Sequence, residues 1–322
     1  MKFNEEIMEK LIPLSLLNNY RGILALSIDW FFIMCSIVVS SYFENIIIYI
    51  LAIFIIGTRQ RALATILHES AHRTLAENLK LNDFLGKYPS GYMIFQSFQK
   101  YAKSHVILHH NFLGDEKRDP DYIYYIESGL FSQKTKSKFL WDNLFSVFLL
   151  RKTPSFIKYL LKNRLGDKRD PELKKILIMW AVIISLSVYF NVLTYVVLYW
   201  VVPLITTFPV IGWFIEMAEH YPIIKNKNDI EQTWNRFSSP LELFLTGIHN
   251  ENMHLTHHLM PNIPYWNLIK AHEIMLGDPL YMERNKIMGG IFLSGNGNKS
   301  LWSKIIEGYD SKTIKECQDE NK

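Results

Sequence analysis

Eight of the eleven histidines in this chain fall into three short runs: His68 and His72; His105, His109 and His110; His254, His257 and His258. A neutral imidazole offers one lone pair to a metal and one N–H to an outer acceptor. On a helix, positions i, i+3 and i+4 share a face, so each run aims several rings at one point. One such pair alone is often buried structural polarity, but three runs together call for a shared purpose. Ligand number narrows the metal, since a closed zinc site takes about four protein ligands and a catalytic one about three. Eight or nine histidines exceed one zinc. Imidazole suits iron, copper, nickel and zinc alike, and the count suits two ions with open positions. Two neighbouring irons can use O2 to take hydrogen from an unactivated C–H bond, which side chains alone cannot do. The pattern points to an oxygen-dependent oxidase. The first run also spells H-E-x-x-H, in which Glu69 would be the general base of a zinc metalloprotease; that reading leaves the other two runs without a role.

The elements that must carry these residues are apolar helices. Of 322 residues, 49% are hydrophobic and 14% aromatic, and mean hydropathy is +0.03, a composition that excludes disorder and leans towards the membrane. Residues 22–43 are apolar apart from Asp29 and, at about 1.5 Å per residue, reach across a hydrocarbon core of roughly 30 Å. The segment is too long for a cleaved signal peptide. After Glu44 and Asn45, residues 46–67 return, giving a tight hairpin. A second hairpin is expected from residues 176–190 and 192–215, with kinks at Pro203 and Pro209. The tips at Glu44 and Asn191 carry no Lys or Arg, whereas residues 151–175 hold nine, so both termini and the central stretch are expected on the cytoplasmic side. Segments 88–101, 139–161 and 263–276 read as amphipathic helices at the interface, with residues 89–95 able to dip in and return. Residues 311–322 read as a loose tail. Asp29 is expected to reach the headgroups or pair locally rather than do chemistry. The expected fold is an all-α polytopic membrane protein: two transmembrane hairpins, four spans in all, in a single domain over residues 1–322, with a cytoplasmic helical cap formed by residues 68–175 and 216–310 around the histidines. A formal charge of +4 and two cysteines exclude a nucleic-acid partner, a disulfide framework and a cysteine-held cluster. No GxGxxG follows a strand.

The three runs, their order and their placement around the hairpins resemble the membrane fatty acid desaturase and hydroxylase superfamily. The flanks carry the resemblance further: RQRALATILHESAH, HHNFLGDEKRDPDY, AEHYP and HNENMHLTHHLMPNIPYW. It covers residues 57–265. It implies two non-haem irons held by the eight box histidines and by His220, with O2 as co-substrate, and desaturation of a fatty acyl chain or related lipid. Hydroxylation by the same superfamily is the alternative. A metal transporter fits less well, because the histidines fall outside the spans. Relatives often carry Asn four residues before the His of the AEH segment; this chain has Glu216, which would either ligate iron or pair with a basic residue. Asp119, Asp121, Glu69, Asn250 and Glu251 are candidates to hold ligating rings by their outer N–H, although Asp119 and Asp121 also read as a surface turn around Pro120. His249 reads as an outer partner or a plain polar residue, and His272 as structural. The resemblance also implies an external ferredoxin or cytochrome with its reductase, and membrane lipids as surroundings.

Overall fold

The computed structural model describes residues 3–132, 135–226 and 228–310; the tail 311–322, with Cys317, lies outside the described residues. The described chain is helical, without a named β-strand. It forms two compact units, one of Leu17–Val106 with Lys152–Gly212, the other of Met1–Leu16, Ile107–Arg151 and Trp213–Lys322.

In the first of these, the helices Arg21–Phe43 and Ile46–Ala71 make the expected hairpin. Glu44 turns the chain in the left-handed region (φ 47°), and the Asn45 side chain caps the return by accepting from the N–H groups of Ile47 and Ile48. Among the described residues, these two helices and Leu193–His220 are the three that are long and apolar enough to cross a membrane. The expected proline kink is a wide π turn, Val197–Val201, just before Pro203, followed by a break at Thr206. Pro203 has no N–H for the helix ladder, and the ladder widens there. The helix Pro171–Tyr189 carries Glu172, Lys174 and Lys175 near its start and is apolar from Ile176 onward. Phe31, Ile47, Ile50 and Ile178 stand exposed along these helices, as side chains facing lipid do.

Asp29 pairs with Arg59 across the hairpin (3.3 Å), with only 1% and 4% of their side chains exposed. Removing one partner of a buried pair leaves the other charge uncompensated. Asp29→Ala is therefore expected to lower stability in detergent by roughly 3–5 kcal/mol, whereas Asp29→Leu combined with Arg59→Met recovers most of it. Unfolding of Asp29→Ala at the wild-type temperature would show that the pair does not join the helices.

Residues 89–95 form a buried turn rather than an amphipathic surface helix, with Tyr92 and Ile94 almost fully enclosed. Three indoles donate to its carbonyls: Trp30 to Pro89 (3.0 Å), Trp180 to Tyr92 (2.9 Å) and Trp200 to Met93 (2.9 Å). Irregular backbone among apolar helices needs partners of this kind. Trp30 also stacks on Trp200, with centroids 5.3 Å apart.

In the other unit, Ile7, Leu11 and Leu14 pack with Leu268, Ala271, Met275 and Tyr281 in one apolar core. The helix Leu268–Met275 thus buries its apolar side in protein, which corrects the expectation of an interface helix there. The expected helix over 139–161 is likewise broken, by a left-handed Leu150 (φ 60°) between Ser146–Phe148 and Thr153–Leu160.

Candidate metal centre

The first unit contributes three imidazoles. His68 and His72 end the helix Ile46–Ala71, their rings 4.6 Å apart, and His105 lies 4.7 Å from His68. His105 sits in the π-helical stretch Ala102–His109, an irregularity frequent at functional sites. Glu69 approaches His68 Nδ1 (3.2 Å) and accepts from the Thr74 hydroxyl (2.9 Å). That is the posture of a carboxylate orienting a ring. Tyr101 lies 5.4 Å from His105 and carries the Arg164 guanidinium on its face, 4.5 Å from the centroid.

In the other unit His109, His220, His254 and His258 converge, with one nitrogen of each within 4.8 Å of all the others. His110 and His257 form a neighbouring pair, Nε2 to Nε2 3.3 Å. The second and third boxes are therefore divided: His105 sits with His68 and His72, and His109 with His220; His254 and His258 share the quartet, and His257 faces His110.

The outer nitrogens of His109, His220 and His254 face carboxylate or carbonyl oxygens. His109 Nδ1 faces Asp119 (3.0 Å) and Asp121 (3.5 Å). Asp119 also accepts the backbone N–H groups of Gly114 (2.9 Å), Asp121 (3.0 Å) and Tyr122 (3.2 Å), so the turn reading and the ring-holding reading are both realised in one side chain. His220 Nδ1 donates to the Gln232 carbonyl (3.3 Å), and His254 Nδ1 lies 3.6 Å from Glu219. Inward, His254 Nε2 is 3.0 Å from the Nε2 of both His220 and His258.

This geometry fits a metal. With Nδ1 of His220 committed to a carbonyl, its Nε2 carries a bare lone pair. A proton on His254 Nε2 could serve only one of its two neighbours, whereas a cation at the common focus serves all. Adjacent ligands at right angles on metal–nitrogen bonds of about 2.1 Å stand about 3.0 Å apart. Burial and the neighbouring rings hold the His258 pKa well below the usual imidazole range, which keeps it neutral and able to coordinate.

Glu216, one turn before His220, lies outside the quartet; its backbone carbonyl accepts from Tyr125 (3.2 Å). Asn250 gives its amide to the Tyr265 carbonyl (2.9 Å), Glu251 ends the short turn Ile248–Asn250, and the His249 ring lies tilted beside Tyr265, centroids 5.2 Å apart. Sequence reasoning missed Glu219, Gln232 and Arg236, whose guanidinium is 4.0 Å from Glu219. Glu219 could have been found, because it adjoins His220 in the AEH segment. Gln232 acts through its main chain and leaves no trace in residue type.

Residues 44–285, a stretch that includes all nine of these histidines, match the family profile of fatty acid desaturases. The chain is similar to the dihydrorhizobitoxine desaturase of Bradyrhizobium elkanii, 36% identical over 271 residues that cover 81% of this chain and 77% of that protein.

Proposed function

Because the chain belongs to the fatty acid desaturase family, we propose that it is an O2-dependent desaturase of a fatty acyl chain or related amphiphile, working through two non-haem irons. The observation that carries this is the histidine quartet, in which Nε2 of His254 lies 3.0 Å from those of His220 and His258, and the outer nitrogens of His109 and His220 meet a carboxylate and a carbonyl. The eight box histidines and His220 would hold the two irons, with His109, His220, His254 and His258 around one of them. Bound there, the metals would supply the oxidation that removes two hydrogens from adjacent carbons. The protein's own part is to fix the rings, exclude water and align the chain, since small misplacements of the reacting C–H bond cost rate. Glu216 would tune the quartet through charge rather than by direct ligation.

The proposal includes four spans, the fourth being Pro171–Tyr189 with Lys174 and Lys175 reaching back to the interface. It places the termini and the histidine-bearing residues 68–175 and 216–310 on the cytoplasmic side of one domain. A ferredoxin or cytochrome would deliver electrons from a reductase. The similar protein from Bradyrhizobium elkanii is named a dihydrorhizobitoxine desaturase, which favours desaturation over hydroxylation here.

The test is metal content of detergent-purified protein grown with iron available, followed by mass spectrometry of lipids and small amphiphiles from expressing cells. About two irons per chain is expected, with a product lighter by two hydrogens. A product heavier by one oxygen would make the enzyme a hydroxylase, and one zinc without iron would overturn the reading.

A further inference from the structure

The helix that carries the third box, His254–Leu259, is six residues long and receives no side-chain cap from the residue before it. A helix so short does not hold its own geometry. Thr256 lies about 200° around the axis from His254, on the face opposite the three histidines.

Hydrogen bonds from three other segments of the same unit reach that back face. Asn235 Oδ1 accepts the Thr256 backbone N–H (3.1 Å), the task of the missing cap, and the Trp234 carbonyl accepts Leu255 N–H (3.3 Å). The Thr256 hydroxyl is 2.6 Å from the Tyr281 phenol oxygen, and Asn235 Nδ2 donates to the same oxygen (2.8 Å) and to Asn285 (2.8 Å). Tyr281 Oη is also 2.8 Å from His272 Nδ1. Either hydroxyl of the Thr256–Tyr281 pair can donate; when Thr256 and Asn235 both donate to the phenol oxygen, its own proton goes to a bare Nδ1 on His272. Burial lowers the His272 pKa to about 4, consistent with a neutral acceptor there. Asn235, Thr256, His272 and Tyr281 are all buried. Shape alone does not demand this chemistry, since Phe at 281 and Val at 256 would fill the same space. Gln232, whose carbonyl meets His220, lies in the same non-helical segment as Asn235, so the path of residues 232–236 sets both His220 and the third box.

We propose that Asn235, Tyr281 and His272 are positioning residues that fix the rotation of the third-box helix through Thr256, and so fix where His254, His257 and His258 present their nitrogens. The inference rests on the reading that these rings hold metal. Tyr281→Phe and Thr256→Val each delete one hydroxyl while preserving shape, and Thr256→Ser keeps it. Full-length apoprotein in detergent is titrated with Co(II), reading affinity and the ligand-field absorption spectrum beside the melting temperature. Tyr281→Phe and Thr256→Val are expected to bind Co(II) roughly 10–100-fold more weakly, with an altered spectrum, and Thr256→Ser to match the wild type in both. Wild-type affinity and spectrum in the folded Phe and Val variants would overturn the proposal, even with a lower melting temperature. If Tyr281→Phe fails to fold, the Val and Ser pair decides alone. A wild-type protein that takes up no metal would overturn the metal reading and this inference with it, whereas metal binding that the variants leave untouched would overturn only the latter.

Discussion

If the quartet holds iron as proposed, His254→Ala is expected to abolish product formation and to lower bound iron from about two per chain to about one, while the protein still inserts in membranes and purifies at a normal yield. The size of the effect follows from position. His254 Nε2 lies 3.0 Å from both His220 and His258 Nε2, so its loss removes the ring that links the other two. Glu219 and Arg236, 4.0 Å apart beneath it, remain to balance each other, so the damage is to metal binding more than to folding. Metal analysis with single-turnover product detection checks both halves. Retained turnover would show that the quartet is not the reacting centre.

Asp119→Ala is expected to fail differently. The carboxylate accepts three backbone N–H groups as well as the His109 ring, and it is fully buried. Each buried donor left without a partner costs roughly 1–3 kcal/mol, so the variant should lose about 3 kcal/mol or more of stability along with activity. Asp119→Asn separates the two roles. It keeps an oxygen for the helix cap but loses the charge that steadies His109 Nδ1–H, so it should melt near the wild-type temperature and turn over roughly 10–100-fold more slowly. Equal turnover in Asp119→Asn and wild type would make Asp119 a turn residue only.

The hairpin of Arg21–Phe43 and Ile46–Ala71 was readable because its information is local: apolar runs of spanning length and two polar residues between them. The histidine boxes were readable for the same reason. What spacing could not show is how the boxes divide. His105 and His109 are four residues apart, yet one sits with His68 and the other with His220, and spacing carries no record of which distant ring each one meets. The helix Leu268–Met275 has the amphipathic pattern of an interface helix, and the pattern alone does not say whether the apolar side meets lipid or Ile7 and Leu11. Residues 232–236 have no periodicity at all. Their role lies in carbonyls, one buried amide and partners 21 to 46 residues away, as between Asn235 and Thr256 or Tyr281.

The turn at residues 89–95 bears on how the chain is made. Its donors stand 59, 88 and 107 residues away in the sequence, at Trp30, Trp180 and Trp200. During synthesis the first hairpin is complete and the first box already translated while the Tyr92 and Met93 carbonyls still lack their indoles. Closing loops that long precedes any return from the bonds. The turn therefore reaches its final form only after Trp200 has emerged, which makes it a late-setting part of the molecule. A chain that stops short of Trp180 leaves the Tyr92 and Met93 carbonyls without their indole donors.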